Sequence, residues 1–213
     1  RLTMKTPPHD LIVFGATSFV GQILTRYLFA QFGAHDGLKW ALAGRSEQKL
    51  QRLRSSLGPK GARLPLVVAD AADADALAAL CGQTRVVIST VGPYALYGEP
   101  LVKACAETGT DYCDLTGEAH WIRRMIHGYE KTARKSGARI VHSCGFDSIP
   151  SDLGVHFLPQ HAIERFGEPC SRVKMRVKAL QALERHGVEV FGPPDSGMFL
   201  WARFPGVEDA ERL

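Results

Sequence analysis

The chain has no run of about 18 apolar residues, so no membrane span is expected in this stretch. No secretory leader is visible, and no basic block exceeds two consecutive Lys or Arg residues, so nucleic-acid binding is not expected. Cysteine is scarce: five residues, at 81, 105, 113, 144 and 170, with no C-x-x-C spacing. That scatter argues against a disulfide framework and against a zinc site, so no metal is expected. A reducing, cytoplasmic setting is the expectation. Repeats and low-complexity segments are also lacking. What remains is ordinary globular composition, with 45% hydrophobic and 23% charged residues over 213 positions. That is enough for one large domain or one and a half. The net charge of +4 is mild, and a polyanionic cofactor would account for some of it. The three residues ahead of Met4 read as extraneous.

Apolar strand candidates alternate with helical patterns. Strands are expected at about 10–14, 39–43, 64–70, 84–90, 112–115 and 138–143. Helices are expected at about 18–32, 46–57, 73–80, 98–107 and 121–136. Short links between such elements specify a doubly wound parallel α/β sheet over residues 9–148. A helix launched at Pro150 runs to about Phe166, and Ser171 to Leu183 alternates like a strand. The stretch from 187 to 213 has no clear period. About 65 residues are too few for an independent second core, so 149–213 reads as a partial, mixed second domain, truncated or lacking an internal stretch.

The most informative run is Asp10 to Gly21, Asp-Leu-Ile-Val-Phe-Gly-Ala-Thr-Ser-Phe-Val-Gly. An apolar strand turns at Gly15 and enters a helix at about Ser18. This is the strand–turn–helix entrance of a dinucleotide-binding fold, in which first-turn amides and the helix dipole face a pyrophosphate. Gly15 serves the tight turn, keeping side chains out of the phosphate's approach, and Gly21 allows close helix packing. The signal alone is weak, since Ser18 holds the middle position of G-x-x-G-x-x-G. The end of the second strand lacks the Asp or Glu that accepts bonds from a ribose 2′-hydroxyl. Arg45 stands there instead, with Ser46 beside it and Lys49 one turn on. A guanidinium forks onto a 2′-phosphate where a carboxylate would repel it, so NADP(H) is expected over NAD(H).

Other candidates stand at later strand ends. Gly92-Pro93 forms a rigid, side-chain-poor turn that suits either a nicotinamide ribose or a plain entry into the next helix. Tyr94 and Tyr97 follow it. No tyrosine in the chain is followed by Lys four residues later, so the tyrosine–lysine acid–base device is absent. Asp114 and Glu118 offer paired carboxylates for acid–base work, although helix capping is the commoner use of such residues. Cys144 near His142 could be a nucleophile, but no third orienting group is indicated. Asp147 and Ser148 more simply frame the cleft.

Four motifs occur in order: GATSFVG (15–21), LAGRSEQKL (42–50), VVISTVGPYALYGEPLVKACAETGTDYCDLTGE (86–118) and ARIVHSCGFDSIPSDLG (138–154). Over residues 9–155 the chain resembles the saccharopine dehydrogenase-like oxidoreductases, and within them the bacterial trans-acting enoyl reductase-type group. The resemblance implies a Rossmann domain followed by a mixed α/β domain that supplies substrate surface and homodimer contacts. It places Gly15, Thr17, Ser18, Phe19 and Val20 at the pyrophosphate, and Arg45 and Ser46 at the 2′-phosphate. Thr90, Val91, Gly92 and Pro93 fall near the nicotinamide. It departs from the family at Ser18, where relatives often have Gly, and in length.

The expected function is an NADP(H)-dependent oxidoreductase acting on a small-molecule or acyl substrate, enoyl by resemblance. Tyr94 and Tyr97 are the candidate proton donors. Two other readings stay open: a nucleotide-binding regulatory or scaffold protein without turnover, and a saccharopine-like amino-acid dehydrogenase.

Overall fold

The computed structural model describes residues 6–34, 37–173, 189–191 and 201–203. The chain divides into two compact units, Arg1–Pro150 and Ser151–Leu213. The first holds β1 (His9–Phe14), α1 (Phe19–Phe32), β2 (Trp40–Gly44), α2 (Glu47–Ser56) and β3 (Leu66–Val68). It continues with α3 (Ala74–Cys81), β4 (Thr84–Ser89), α4 (Tyr94–Tyr97), α5 (Glu99–Thr108), β5 (Asp111–Asp114), α6 (Ala119–Ser136) and β6 (Ile140–Val141). A 3-10 turn at Pro59–Arg63 precedes β3.

The six strands form one sheet in the order β3-β2-β1-β4-β5-β6, and every pair is parallel. The doubly wound parallel sheet expected from the alternating pattern is the fold observed. Strand periodicity explains its two cores. Leu11 and Val13 point to one face, where they pack with Leu28, Trp40, Leu42, Leu50 and Leu53 under α1 and α2. Ile12 and Phe14 point to the other, against Leu77, Val87, Leu101, Tyr112 and Trp121 under α3, α5 and α6. Successive residues of a strand face opposite ways, so a central strand must be apolar throughout. Burying each such side chain contributes roughly 1.5–3 kcal/mol.

Helix starts follow local chemistry. Ser18, Ser46 and Asp73 cap α1, α2 and α3 by accepting from the amides of Gly21, Lys49 and Ala76. Each cap satisfies an amide that the helix itself cannot. α5 and α6 end on Gly109 and Gly137, both left-handed.

The structure departs from the expected boundaries in three places. β3 has three residues, and the following chain turns at Asp70, whose carboxylate accepts from Ala72 N at 2.9 Å. A separate four-residue helix, α4, precedes α5. β6 spans only two residues of the six expected. Its continuation is diverted because the amides of Ser143 and Cys144 bond to the Asp114 side chain and carbonyl, with Ser143 at φ 61°.

α7 (Ile149–Phe166) begins at the boundary and contains Pro159. In the second unit, β7 (Glu189–Phe191) and β8 (Trp201–Arg203) form an antiparallel pair where no period was evident. The strand expected over 171–183 lies, beyond its first three residues, outside the described residues. Among the described residues, no helix is long and apolar enough to cross a membrane.

Candidate functional site

β1 pairs with β2 on one side and with β4 on the other. Connections therefore leave the carboxyl ends of β1 and β4 toward opposite edges of the sheet, and a crevice opens between them. The turn from β1 to α1 lines that crevice. Gly15 has φ 83°, a conformation that side chains disfavour. A Cβ there would lie 2.7 Å from Val91 Cγ2 and 2.8 Å from Thr90 Oγ1. A side chain there would collide with the loop that follows β4. A Cβ on Gly21 would overlap the Gly15 carbonyl oxygen and sit 2.9 Å from Ala16 backbone atoms. Glycine at 21 is what lets α1 rest on the turn.

Thr90 staples this turn from β4. Its buried hydroxyl lies 2.9 Å from the Gly15 carbonyl oxygen, 3.2 Å from that of Phe14 and 3.0 Å from Ser18 Oγ. Ser18 spends its own oxygen on Gly21 N at 2.9 Å. Gln22 N goes to the Ser18 carbonyl. The amides of Phe19 and Val20 are not taken up by these turn and cap bonds. They start a 14-residue helix with no acidic residue in its first turn. Two free amides on a positive helix end suit a diphosphate. The Phe19 side chain itself is 81% exposed.

Gly44 ends β2, and the Thr17 hydroxyl lies about 4.0 Å from where its Cβ would be. Arg45, exposed, comes next, and Ser46 caps α2. No ion pair is recorded for Arg45 among the described residues. Thr17, Arg45 and Ser46 are thereby gathered on one flank of the crevice. A cleft of about 370 Å³ runs on between α1 and α2 from Thr17 to Ser56.

On the opposite flank, Val91, Gly92 and Pro93 follow β4, with the Gly92–Pro93 bond cis. Gly92 and Pro93 are exposed and Val91 half-buried. The two tyrosines separate. Tyr94 is turned into the core, where its hydroxyl donates to the Ser89 carbonyl at 2.9 Å and receives Leu115 N at 3.4 Å. Burial pushes it up to about 12. Its ring packs on Trp121, with centroids 5.4 Å apart. Tyr97 is 48% exposed.

Glu118 does not cap the helix it precedes. It reaches back to cap α4, accepting from Tyr94 N at 2.7 Å and Ala95 N at 2.8 Å. Asp114 caps no helix either. This buried carboxylate accepts from Tyr112 Oη (2.9 Å), Thr116 N (3.1 Å) and Ser143 N (2.9 Å). It also lies 2.7 Å from His142 Nδ1. Burial by itself would raise its pKa, but the bonds from His142, Ser143 and Thr116 outweigh that and hold it below the usual range. The sequence had shown both strand ends but not their pairing. Asp114 and His142 follow Cys113 and Val141, which are register partners, so the strand register is the signal that joins them. His142 also lines an apolar cleft of about 340 Å³ beside α6.

Cys144 is exposed, and its Sγ lies 3.6 Å from the Val141 carbonyl rather than on the His142 ring. Burial of part of the thiol raises its pKa. A nucleophile needs the opposite shift and an adjacent base.

A family model described as the saccharopine dehydrogenase NADP-binding domain matches residues 11–141. The trans-acting enoyl reductase of Mycobacterium leprae is 48% identical over 162 residues, covering 76% of this chain and 38% of that protein. The trans-acting enoyl reductase of Mycobacterium bovis (strain BCG / Pasteur 1173P2) is 48% identical over 164 residues, with the same coverage. The chain thus spans 38% of the length of these relatives. A solved structure of saccharopine dehydrogenase (L-Glu forming) from Saccharomyces cerevisiae aligns with a TM-score of 0.53 over 85% of this chain and 33% of that one. At 19% identity this shows a shared fold.

Proposed function

Because the chain belongs to the saccharopine dehydrogenase family through its NADP-binding domain, we propose that it holds NADP(H) in the crevice beside Gly15 for an enoyl reductase-type reaction. The observation that carries this reading is the pair of uncommitted amides, Phe19 N and Val20 N, opening α1 within a short distance in sequence of the Gly15 turn.

Each residue then has a task. The amides of Phe19 and Val20, with the α1 dipole behind them, receive the diphosphate. Thr17 and Ser18 shape the turn, and Thr90 locks it to β4. Arg45 forks onto the 2′-phosphate beside Ser46. Val91, Gly92 and Pro93 offer a wall with little side-chain bulk to the nicotinamide half. When bound, NADPH supplies a hydride to an electron-poor carbon. The chain's own contribution is to bind, orient and screen. Tyr94 acts as a structural support, since its proton is committed to Ser89 inside the core. Tyr97 is the tyrosine left at the surface as a proton donor.

The mycobacterial relatives are trans-acting enoyl reductases, and the substrate class proposed for this chain is a lipid-derived enoyl thioester. The test incubates the protein with NADPH carrying deuterium at the transferable position, together with an enoyl thioester. Expected is loss of NADPH absorbance with deuterium in the saturated product, slowed in Tyr97→Phe and little changed in Tyr94→Phe. Persistent binding of NADPH without transfer to any enoyl or imine substrate would replace this reading with a nucleotide-binding protein that lacks turnover.

A further inference from the structure

We infer that the solvent face of α6 docks an acidic helix of a partner protein. The inference is independent of the cofactor reading, since it concerns a surface outside the crevice.

Three observations carry it. First, helical geometry sorts the charge. An α-helix turns about 100° per residue. Arg123, Arg124, Lys131 and Lys135 are all exposed and fall within one arc of about 120° on α6. His120, His127 and Arg134 fill the other positions of that arc, so every residue in it is Lys, Arg or His. The stripe runs about 22 Å along the helix. No linear basic run reveals it, because its members stand mostly three or four residues apart. The opposite face is buried through Trp121, Met125 and Ala133.

Second, little neutralises the stripe. Arg134 pairs with Glu130 at 2.7 Å. Among the described residues, no ion pair is recorded for Arg123, Arg124, Lys131 or Lys135. Opposite charges at i, i+4 support a helix, whereas like charges at that spacing, as at Lys131 and Lys135, weaken it. The first turn also lacks an acidic residue, the type that the helix dipole favours there. The stripe therefore works against its own helix, and an anionic surface laid on it relieves the repulsion.

Third, the surroundings restrict the partner's shape. Carboxylates stand near the stripe. Glu130 borders it, Glu99 of α5 accepts from Tyr129 Oη at 2.9 Å, and Glu107 of α5 lies 4.0 Å from Lys103 Nζ. A nucleic-acid duplex or a lipid headgroup layer is anionic across its whole width and would meet these carboxylates too. A helix about 10–12 Å across, with Asp or Glu at i, i+3 and i+4, meets the stripe alone. The arc holds no aromatic or amide side chain on which a base could stack or be read. The apolar side of α6 is committed to the core, so the helix has none to place in a bilayer. Glu118, just before α6, caps α4 beside Pro93. A protein seated on the stripe thus stands next to the Val91–Pro93 flank of the crevice.

The experiment measures fluorescence anisotropy of a labelled 20-residue helical peptide with Glu at i, i+3 and i+4 on one face and Ala and Gln elsewhere. A scrambled peptide of the same composition, a 20-base-pair DNA duplex and phosphatidylserine vesicles are the comparisons. The proteins are wild type, Arg124→Glu/Lys131→Glu, and Lys60→Glu/Arg63→Glu, which makes the same charge change at an exposed turn elsewhere. The striped peptide is expected to bind wild type at least about fivefold tighter than the scrambled one. The α6 variant should lose about tenfold or more, and the distant variant less than about twofold. The α6 variant should melt no lower than wild type, since it relieves like-charge repulsion. A melting point lower by more than about 5 °C would show that these cations already serve the fold, and would overturn the inference. Equal binding of striped and scrambled peptides, or equal losses in the two variants, would reduce the effect to net charge and overturn it as well. If the duplex or the vesicles bind more tightly than the striped peptide and lose that binding in the α6 variant, the stripe serves a nucleic acid or a membrane, and the inference is wrong.

Discussion

Replacing Asp114 by alanine should destabilise the sheet unit more than any surface change described here. Asp114 is 2% exposed and accepts from Tyr112 Oη, Thr116 N and Ser143 N, with His142 Nδ1 at 2.7 Å. Alanine would leave two backbone amides, a phenol and an imidazole facing a small void. A stranded buried polar group costs about 1–3 kcal/mol, and breaking a buried pair about 3–5 kcal/mol. Water entering the void offsets part of this, so we expect a loss of about 3–5 kcal/mol. That is a large share of the 5–15 kcal/mol typical of a domain. At roughly 2–4 °C per kcal/mol, the melting point should fall by about 6–20 °C. Urea unfolding followed by tryptophan fluorescence is a direct assay, because Trp121 lies 5.0 Å from the His142 ring. Asp114→Asn keeps the acceptor for the two amides and should lose less. The pH dependence has a definite sign. The folded carboxyl has a pKa below its ordinary value of 3.8, so the unfolded state binds more protons between the two values. The stabilisation is complete above the unfolded pKa and is lost as pH falls through the folded one. Asp114→Ala should flatten that acid limb. A loss under about 1 kcal/mol, with an unchanged acid limb, would refute the claim that this carboxylate ties β5 to the β6 end.

Gly21→Ala should lower both the melting point and NADPH affinity, the latter by about tenfold or more, since backbone atoms of Gly15 and Ala16 occupy the Cβ position and the amides must shift. Normal binding by a folded Gly21→Ala protein, read by fluorescence titration, would show that α1 does not depend on this contact. Cys144→Ser should leave turnover within about tenfold, because its thiol has a raised pKa and no base beside it. A thousandfold fall in a folded, NADPH-binding variant would point to thiol chemistry instead.

The sheet was legible because its signals are local. Val13 and Ile12 announce a doubly buried strand by being apolar on both faces, and Ser18 and Ser46 mark helix starts by residue type. The grouping of Gly15, Thr17, Arg45 and Ser46 was legible for the same reason, since they stand at the ends of adjacent strands whose order the pattern implies. What escaped depended on contacts distant in the chain. The segment from Asp114 to Glu118 suggested a cap for the helix after it, yet Glu118 caps α4, some 23 residues earlier, and Asp114 caps none. Tyr94 and Tyr97 looked equivalent by position, and helical geometry sends one inward and leaves the other at the surface. The short β6 follows from Asp114 claiming the Ser143 amide, which no strand propensity reveals. α4 is four residues long, too short for periodicity to register.

The central claim is that the Gly15 crevice holds a dinucleotide and that Arg45 selects its 2′-phosphate. Calorimetric titration of NADPH and NADH into wild type and Arg45→Ala tests it most directly. A charge-assisted pair contributes about 1.5–3 kcal/mol, so NADPH should bind one-to-one and about tenfold or more tighter than NADH. Arg45→Ala should erase most of that preference by weakening NADPH alone. Equal affinities in the wild type, or a preference untouched by Arg45→Ala, would contradict the account.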